Sequence, residues 1–286
     1  MPIDLHDGLL QVFDVDHGQC ALLILPGPSR RHYVLIDCGH AVDFGGAPWY
    51  PGQHLQNIGV GYVDLLICTN YDEDHASGFP DLLQRGISIG VIFGNPTISP
   101  TVIADLKSND GMGPGIRALA TALEIRKTMG WLQVLQNIPG LELSWACNRY
   151  PVFDDENNLS VVVNLCILGW NFMFCGDMEL SGWNNLLSQW LPSRELVARV
   201  HFLMAAHHGP RNGICPDMFD RFGCRPRIVV ISDDYKQYNT QETTNYYRSK
   251  TTGIPWFRDQ GESRVLTTRS DGEIKFTFRS GDVRVW

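Results

Sequence analysis

Seven consecutive residues, Thr69-Asn70-Tyr71-Asp72-Glu73-Asp74-His75, bring together three carboxylates, an amide and an imidazole. They follow an apolar run at 63–68 that reads as a strand, and Ala-Ser-Gly and a helical segment come after them. Crowding that much negative charge at a strand end is costly unless a cation binds there. The chemistry to expect is therefore metal chemistry.

Three further polar groups stand at the ends of apolar runs. Asp37 closes a third strand, Asp177 follows Phe-Cys-Gly, and His207-His208-Gly209 ends another strand. With Asp72, Asp74 and His75 these supply enough donors for two adjacent divalent cations, and Asp177 is placed to bridge them. A His-His-Gly triplet alone is commonplace; beside Asp-x-Asp-His and Gly-Asp it reads as metal-binding.

The elements that must position these residues are mostly strands. Runs at 9–15, 20–25 and 33–36 are separated by an Asp-His-Gly turn and a Pro-Gly-Pro-Ser turn. Residues 40–60 read as a long loop rich in glycine, of the kind that lines a site. A short helix is expected over 79–85, a strand over 87–93, a polar stretch up to Gly115, and a helix over 116–129 with Ile116, Leu119, Ala120 and Leu123 on one face. Residues 159–167 and 170–175 read as a buried hairpin, followed by helix around Pro192 and a strand at 200–206. Later strands are expected at 227–232, 265–268 and 273–278, the last two joined by an Asp-Gly turn. Strands interspersed with helices suit two sheets packed face to face with helices outside.

In this order the motifs resemble the metallo-β-lactamase superfamily: Asp37-Cys38-Gly39, then Asn70-x-Asp72-x-Asp74-His75, Gly176-Asp177 and His207-His208-Gly209. Within it the chain is similar to the hydrolase domain of ComEC-type competence proteins. That likeness rests on Phe13-Asp14-Val15-Asp16-His17-Gly18-Gln19-Cys20, on Asn157-Asn158-Leu159-Ser160-Val161-Val162, and on Thr267-Thr268-Arg269-Ser270-Asp271-Gly272-Glu273-Ile274. It spans nearly the whole chain. It implies an α/β fold, the four-layer αββα sandwich, as one hydrolase domain over 1–286. It also implies a metal-dependent hydrolase, a phosphodiesterase or nuclease that attacks DNA or RNA with a metal-activated water.

Position by position, the resemblance makes Asp74, His75 and His207 ligands of one metal, with Asp177 bridging, while Asn70 and Asp72 face a second. Asp37 is the family's structural acid. Asp74 is the catalytic residue that orients the water, and His208 stabilises phosphoryl oxygens or protonates the leaving group. Asn158, where many members place another ligand histidine, and Ser160 are the substrate-binding candidates. The cofactor is one or two divalent ions, Zn or Mn. Imidazoles are usual at the positions of Asn70 and Asp72; oxygen donors there shift preference from zinc toward manganese or magnesium. Two other readings stay open. One is a lactone, thioester or β-lactam hydrolase. The other is a non-catalytic or partner-regulated member of a multiprotein system, such as a defence system.

Bulk properties frame these expectations. Of 286 residues 44% are hydrophobic and 19% charged, which is ordinary for a globular protein and unlike a disordered chain. The net charge of −8 gathers in the first hundred residues, whereas 248–286 are net basic, so that flank could attract phosphate. The segment 235–258 interleaves Tyr235, Lys236, Tyr238, Tyr246, Tyr247, Arg248, Lys250, Trp256, Phe257 and Arg258, which suits either single-strand stacking or core packing. Lys107 and the run Gly111-Met-Gly-Pro-Gly115 lack the Gly-Lys-Ser/Thr of a phosphate loop and read as turn. The eight cysteines, none in a Cys-x-x-Cys pair and several within apolar runs, read as buried free thiols. No apolar run reaches membrane-spanning length and the first residues lack a basic start, so the expected setting is the cytoplasm.

Overall fold

The structure is a computed structural model and describes residues 8–108, 111–131, 134, 137–189, 191–234, 242–258, 261–279 and 281–286. The first half runs β1 (Leu9–Val12), β2 (Ala21–Pro26), β3 (Arg31–Ile36), β4 (Ala41–Phe44), β5 (Ala47–Trp49), α1 (Pro51–Asn57), β6 (Tyr62–Ile67), α2 (Glu73–Ala76), α3 (Phe79–Gln84), β7 (Ser88–Phe93), α4 (Pro100–Leu106) and α5 (Pro114–Thr128). The second half runs β8 (Leu141–Cys147), β9 (Val161–Ile167), β10 (Trp170–Phe174), α6 (Leu180–Gln189), α7 (Leu191–Ala198), β11 (Phe202–Met204), α8 (Pro216–Asp220), β12 (Ile228–Ile231), α9 (Thr244–Lys250), β13 (Val265–Thr267), α10 (Thr268–Asp271), β14 (Ile274–Arg279) and β15 (Asp282–Val285).

Two sheets carry the fold. One has seven strands in the order β15-β14-β1-β2-β3-β6-β7, the other six in the order β13-β12-β11-β10-β9-β8. The strands are apolar on both faces because each sheet is covered twice. Leu23, Ile36, Val163, Phe172, Phe202 and Phe276 meet between the sheets, and the Phe172 and Phe202 rings stack with centroids 4.6 Å apart. The alternate residues Leu22, Leu35 and Leu66 face outward onto Phe79, Leu82, Ile116 and Leu119 of the first helical layer. Met173, Leu203 and Val229 likewise face Trp183, Leu187, Met218 and Tyr247 of the second. The result is four layers, α, β, β and α, as the sequence implies.

Several local expectations need correcting. Residues 40–60 are not one loop: they hold the β4–β5 ribbon and α1, which starts with Pro51 in its first turn. The polar stretch before Gly115 contains α4, capped by the Ser99 hydroxyl accepting from the Val102 N–H. β13 and β14 are not a hairpin. The short helix α10 passes between them and carries the chain from the second sheet to the first. β8, an edge strand whose residues alternate only weakly in burial, has no clear signal in the sequence.

Within this frame β3, β6 and β7 run parallel in one sheet, and β10 to β13 run parallel in the other. Asp37 follows β3, the acidic motif follows β6, Asp177 follows β10 and the paired histidines follow β11. In open α/β sheets such carboxyl ends are where ligands bind.

Candidate metal centre

Asp37 is fully buried and sits in the left-handed region, φ 54°, so its carboxylate turns back under the neighbouring strand end. It accepts hydrogen bonds from the Thr69 N–H at 2.7 Å and the Thr69 hydroxyl at 2.5 Å. Its Oδ2 also lies 3.0 Å from His75 Nδ1. A proton on Nδ1 satisfies that contact, so Nε2, 3.0 Å from Asp177 Oδ1, is the nitrogen that a cation could take in exchange for its proton. The Asp177 backbone N–H donates to the Ser160 hydroxyl at 3.0 Å, which fixes the loop that presents the carboxylate.

The turn after β11 is unusual. His207, His208 and Gly209 occupy the left-handed region in succession, with φ 53°, 54° and 87°. For residues with a Cβ this costs roughly 1–3 kcal/mol each and persists only where surrounding contacts demand it. It aims the adjacent imidazoles differently. His208 is buried; its Nδ1 donates to the Ser232 carbonyl at 2.9 Å, and its Nε2 lies 3.0 Å from Asp74 Oδ2 and 3.6 Å from Asp177 Oδ1. His207 is partly exposed, with Nδ1 3.1 Å from Asn212 Nδ2 and 3.4 Å from Glu179 Oε1.

Donor atoms of Asp74, His75, Asp177 and His208 all lie within 4.8 Å of one another, and among the described residues they form the one such group of His, Cys, Asp and Glu. Two tests ask whether a cation fits. The first is His208 Nε2, buried and without a hydrogen bond of acceptable geometry despite its 3.0 Å approach to Asp74. Such an orphan nitrogen is what a metal ligand looks like without its metal. The second is the donor set, two imidazole nitrogens oriented by their other ring nitrogen plus two carboxylates, which suits zinc, manganese or iron. The residues fit a divalent ion.

Protonation follows the same geometry. Burial opposes a charge on His75, yet Asp177, Asp37 and Asp74 outweigh it and raise its pKa well above the usual histidine value. His208 is raised in the same way, burial opposing and Asp177 and Asp74 prevailing. Burial would raise Asp177, but His75 and His208 drive it far below the ordinary carboxylate range.

Of the residues the sequence analysis singles out, Asp74, His75 and Asp177 converge, and His208 joins them where His207 was expected. Asn70 turns aside: its Oδ1 accepts from the Tyr71 N–H at 2.5 Å and its Nδ2 donates to Asn157 Oδ1 at 3.3 Å. Asp72 pairs with Lys107. Asn158 ties a loop to α6, accepting from the Gly182 N–H at 2.8 Å and donating to Asp155 at 3.0 Å. Ser160 is buried and accepts the hydrogen bond of the Asp177 N–H. Both side chains are buried and engaged within the protein.

His17 in the first turn packs against His208 with ring centroids 4.5 Å apart and planes tilted by 49°, and burial beside His208 lowers its pKa. Glu179 and Asn212, on the rim, went unremarked in the sequence because nothing in their spacing ties them to the motif.

Gly18 and Gly39 press against the backbone of Asp74. A Cβ would lie 2.6 Å from the Asp74 carbonyl oxygen at Gly18 and 2.4 Å at Gly39. Gly39→Ala must therefore push Asp74 out of place. The expected loss is about 1–3 kcal/mol of stability in urea melts, accompanied by weaker retention of metal on dialysis. An unchanged melt with full metal retention would show that the loop yields freely.

No protein-family model and no curated protein matches the sequence. Solved structures are similar in fold. The metallo-β-lactamase fold protein YhfI from Bacillus subtilis superposes with a TM-score of 0.50 at 8% identity, covering 94% of this chain and all of that one. CmlA, a diiron β-hydroxylase from Streptomyces venezuelae, superposes with a TM-score of 0.50 at 12% identity, covering 95% of this chain and 54% of that one. The architecture is the metallo-β-lactamase fold.

Proposed function

We propose that the chain, as one domain, is a metal-dependent hydrolase that cleaves phosphodiesters in DNA or RNA, with Asp74, His75, Asp177 and His208 as the metal ligands. The observation that carries this reading is the pair of buried imidazoles, each held through Nδ1 and each turning Nε2 toward the carboxylates. A divalent cation bound there supplies Lewis acidity, lowering the pKa of a water and neutralising charge that develops on a phosphoryl oxygen.

The chain's own groups do the rest. The Asp74 side chain is 26% exposed, so its carboxylate is open to an attacking water and orients it by accepting its hydrogen bond. His207, 24% exposed and steadied by Glu179 and Asn212, takes the role of proton donor to the leaving oxygen. His17 covers His208 and limits water around it. The nucleic-acid substrate is supported by the resemblance to the competence-type hydrolase domain. The basic-aromatic segment supports it less, because Tyr247 and Phe257 are buried core residues and 235–241 lie outside the described residues. Among the described residues of that segment, Trp256, 69% exposed, is suited to stacking. Eight free cysteines, six of them buried, support a reducing compartment such as the cytoplasm. No helix among the described residues is long and apolar enough to cross a membrane.

A second reading has its own observation. Asp72 and Asn70 are both committed to protein partners, which suits a non-catalytic chain that waits for a regulatory protein. The fold also hosts oxidation in CmlA, so iron belongs among the metals tried.

The protein loaded with Mn²⁺, Zn²⁺, Mg²⁺ or Fe²⁺ would be offered single- and double-stranded DNA, RNA, bis(p-nitrophenyl) phosphate, lactones and a cephalosporin. Phosphodiester cleavage that disappears in Asp74→Ala is the expected result. Turnover of lactone or cephalosporin alone would move the substrate class. Retained metal with no turnover of anything would favour the regulated, non-catalytic reading.

A further inference from the structure

Lys107 follows α4, far in sequence from any expected ligand, yet its side chain is only 7% exposed. Its ammonium contacts Asp72 Oδ1 and lies 2.5 Å from Glu156 Oε1. Asp72 and Asn70 are the residues that would face a second metal ion, and both side chains are engaged: Asp72 by Lys107, Asn70 by the Tyr71 N–H and Asn157. Asn158, at the remaining position where a ligand would stand, is bound to Gly182 and Asp155.

Resting on the reading of Asp74, His75, Asp177 and His208 as a metal centre, we propose that Lys107 is a built-in cation for the other half of the site, so that the chain binds one metal ion and excludes a second. Two physical arguments support it. The buried ammonium of Lys107 needs counter-charges, and the partly buried carboxylates of Asp72 and Glu156 supply them and are held in place by its directed N–H donors. A divalent ion seeking Asp72 would have to displace that ammonium or lie beside it, and the repulsion between the two cations is strengthened by low local dielectric. It would also have to break the hydrogen bonds that hold Asn70 and Asn158. The departures from imidazole at Asn70 and Asp72 are then matched by a gain elsewhere in the chain rather than being simple losses.

Metal stoichiometry tests this without any assay of activity. The full chain is saturated with Mn²⁺ or Zn²⁺, freed of excess, and measured by native mass spectrometry and elemental analysis, with electron paramagnetic resonance of the Mn²⁺ form. The wild-type protein should carry one ion per chain and give the six-line spectrum of isolated Mn²⁺. Lys107→Met, and independently Lys107→Gln, should bind up to two ions, with the broadened spectrum of a coupled pair. Lys107→Arg should stay at one. Two ions in the wild-type protein would overturn the proposal whether or not the variants fold, and so would a single ion in folded Lys107→Met and Lys107→Gln. If the wild-type protein bound none, or if its ion survived Asp177→Asn and His208→Ala, the metal-centre reading itself would fail. Two ions lost in those same variants would leave that reading intact and sink only the exclusion by Lys107.

Discussion

His208→Ala and Asp177→Asn are expected to strip the protein of its metal and of its hydrolytic activity together, while His207→Ala leaves the metal in place. The two histidines are neighbours, so the contrast tests the turn that separates them. His208 sends Nε2 into the cluster and anchors Nδ1 on the Ser232 carbonyl. Removing it takes away a donor atom, leaves Asp74 without its imidazole contact and leaves Asp177 with His75 alone. Loss of a group that merely holds a ligand typically costs about 10–100-fold in affinity or activity; loss of the ligand itself should exceed that. Asp177 contacts both buried imidazoles, so its effect should be at least as large. His207 lies on the Glu179 side, and its removal should lower turnover by about 10²–10⁴-fold, the range for a general acid, with unchanged metal content. Elemental analysis of the three variants beside their rates decides the matter. Metal lost from His207→Ala and kept in His208→Ala would reverse the assignment.

That reversal is also where sequence reading reached its limit. The strand-end positions of Asp37, Asp74, His75 and Asp177 were legible because apolar runs mark the strands and the motif follows directly. Whether His207 or His208 turns inward was not, since it depends on two successive left-handed residues that a pattern of apolar and polar letters does not encode. Lys107 was equally hidden. It meets Asp72 across thirty-five positions, and a lone lysine in a polar stretch gives no hint of burial. The four layers could be anticipated from strands that are apolar throughout, yet the passage from β13 to β14 could not. An Asp-Gly pair between two strands suggests a hairpin, but here Thr267 caps α10 and the chain changes sheets. The aromatic residues at 246–257 were ambiguous for a simpler reason: Tyr247 and Phe257 pack into the core, and burial is decided by what arrives from elsewhere in the chain.

The stability gained from metal should widen steeply as pH rises, because metal and protons compete for the same nitrogens. In the metal-free protein the protons stand in for the cation. His75 and His208 are held charged by Asp177, Asp74 and Asp37 against the cost of burial, so both have pKa values above the unfolded histidine value of 6.5. A histidine raised in this way contributes stability that is fully present below its unfolded pKa and is lost as pH climbs through its folded pKa. Asp177, held far below the carboxylate range, contributes stability present above the unfolded carboxylate value and lost only in strong acid. The metal-free protein should therefore be most stable in the weakly acidic range and soften toward alkaline pH. Metal binding reverses the demand, because both imidazoles must then be neutral at Nε2. Between about pH 6.5 and the folded pKa values, each displaced proton adds about 1.4 kcal/mol per pH unit to the advantage of the loaded form. Thermal melts of chelator-treated and Mn²⁺-loaded protein from pH 6 to pH 9 should show the gap in Tm growing, mainly through a fall in the metal-free curve. Calorimetric titration in buffers of different ionisation enthalpy should count close to two protons released per ion at neutral pH. A gap that stays constant or narrows over that range would mean that His75 and His208 are already neutral without metal, and that the carboxylates around them do not hold the charge the geometry implies.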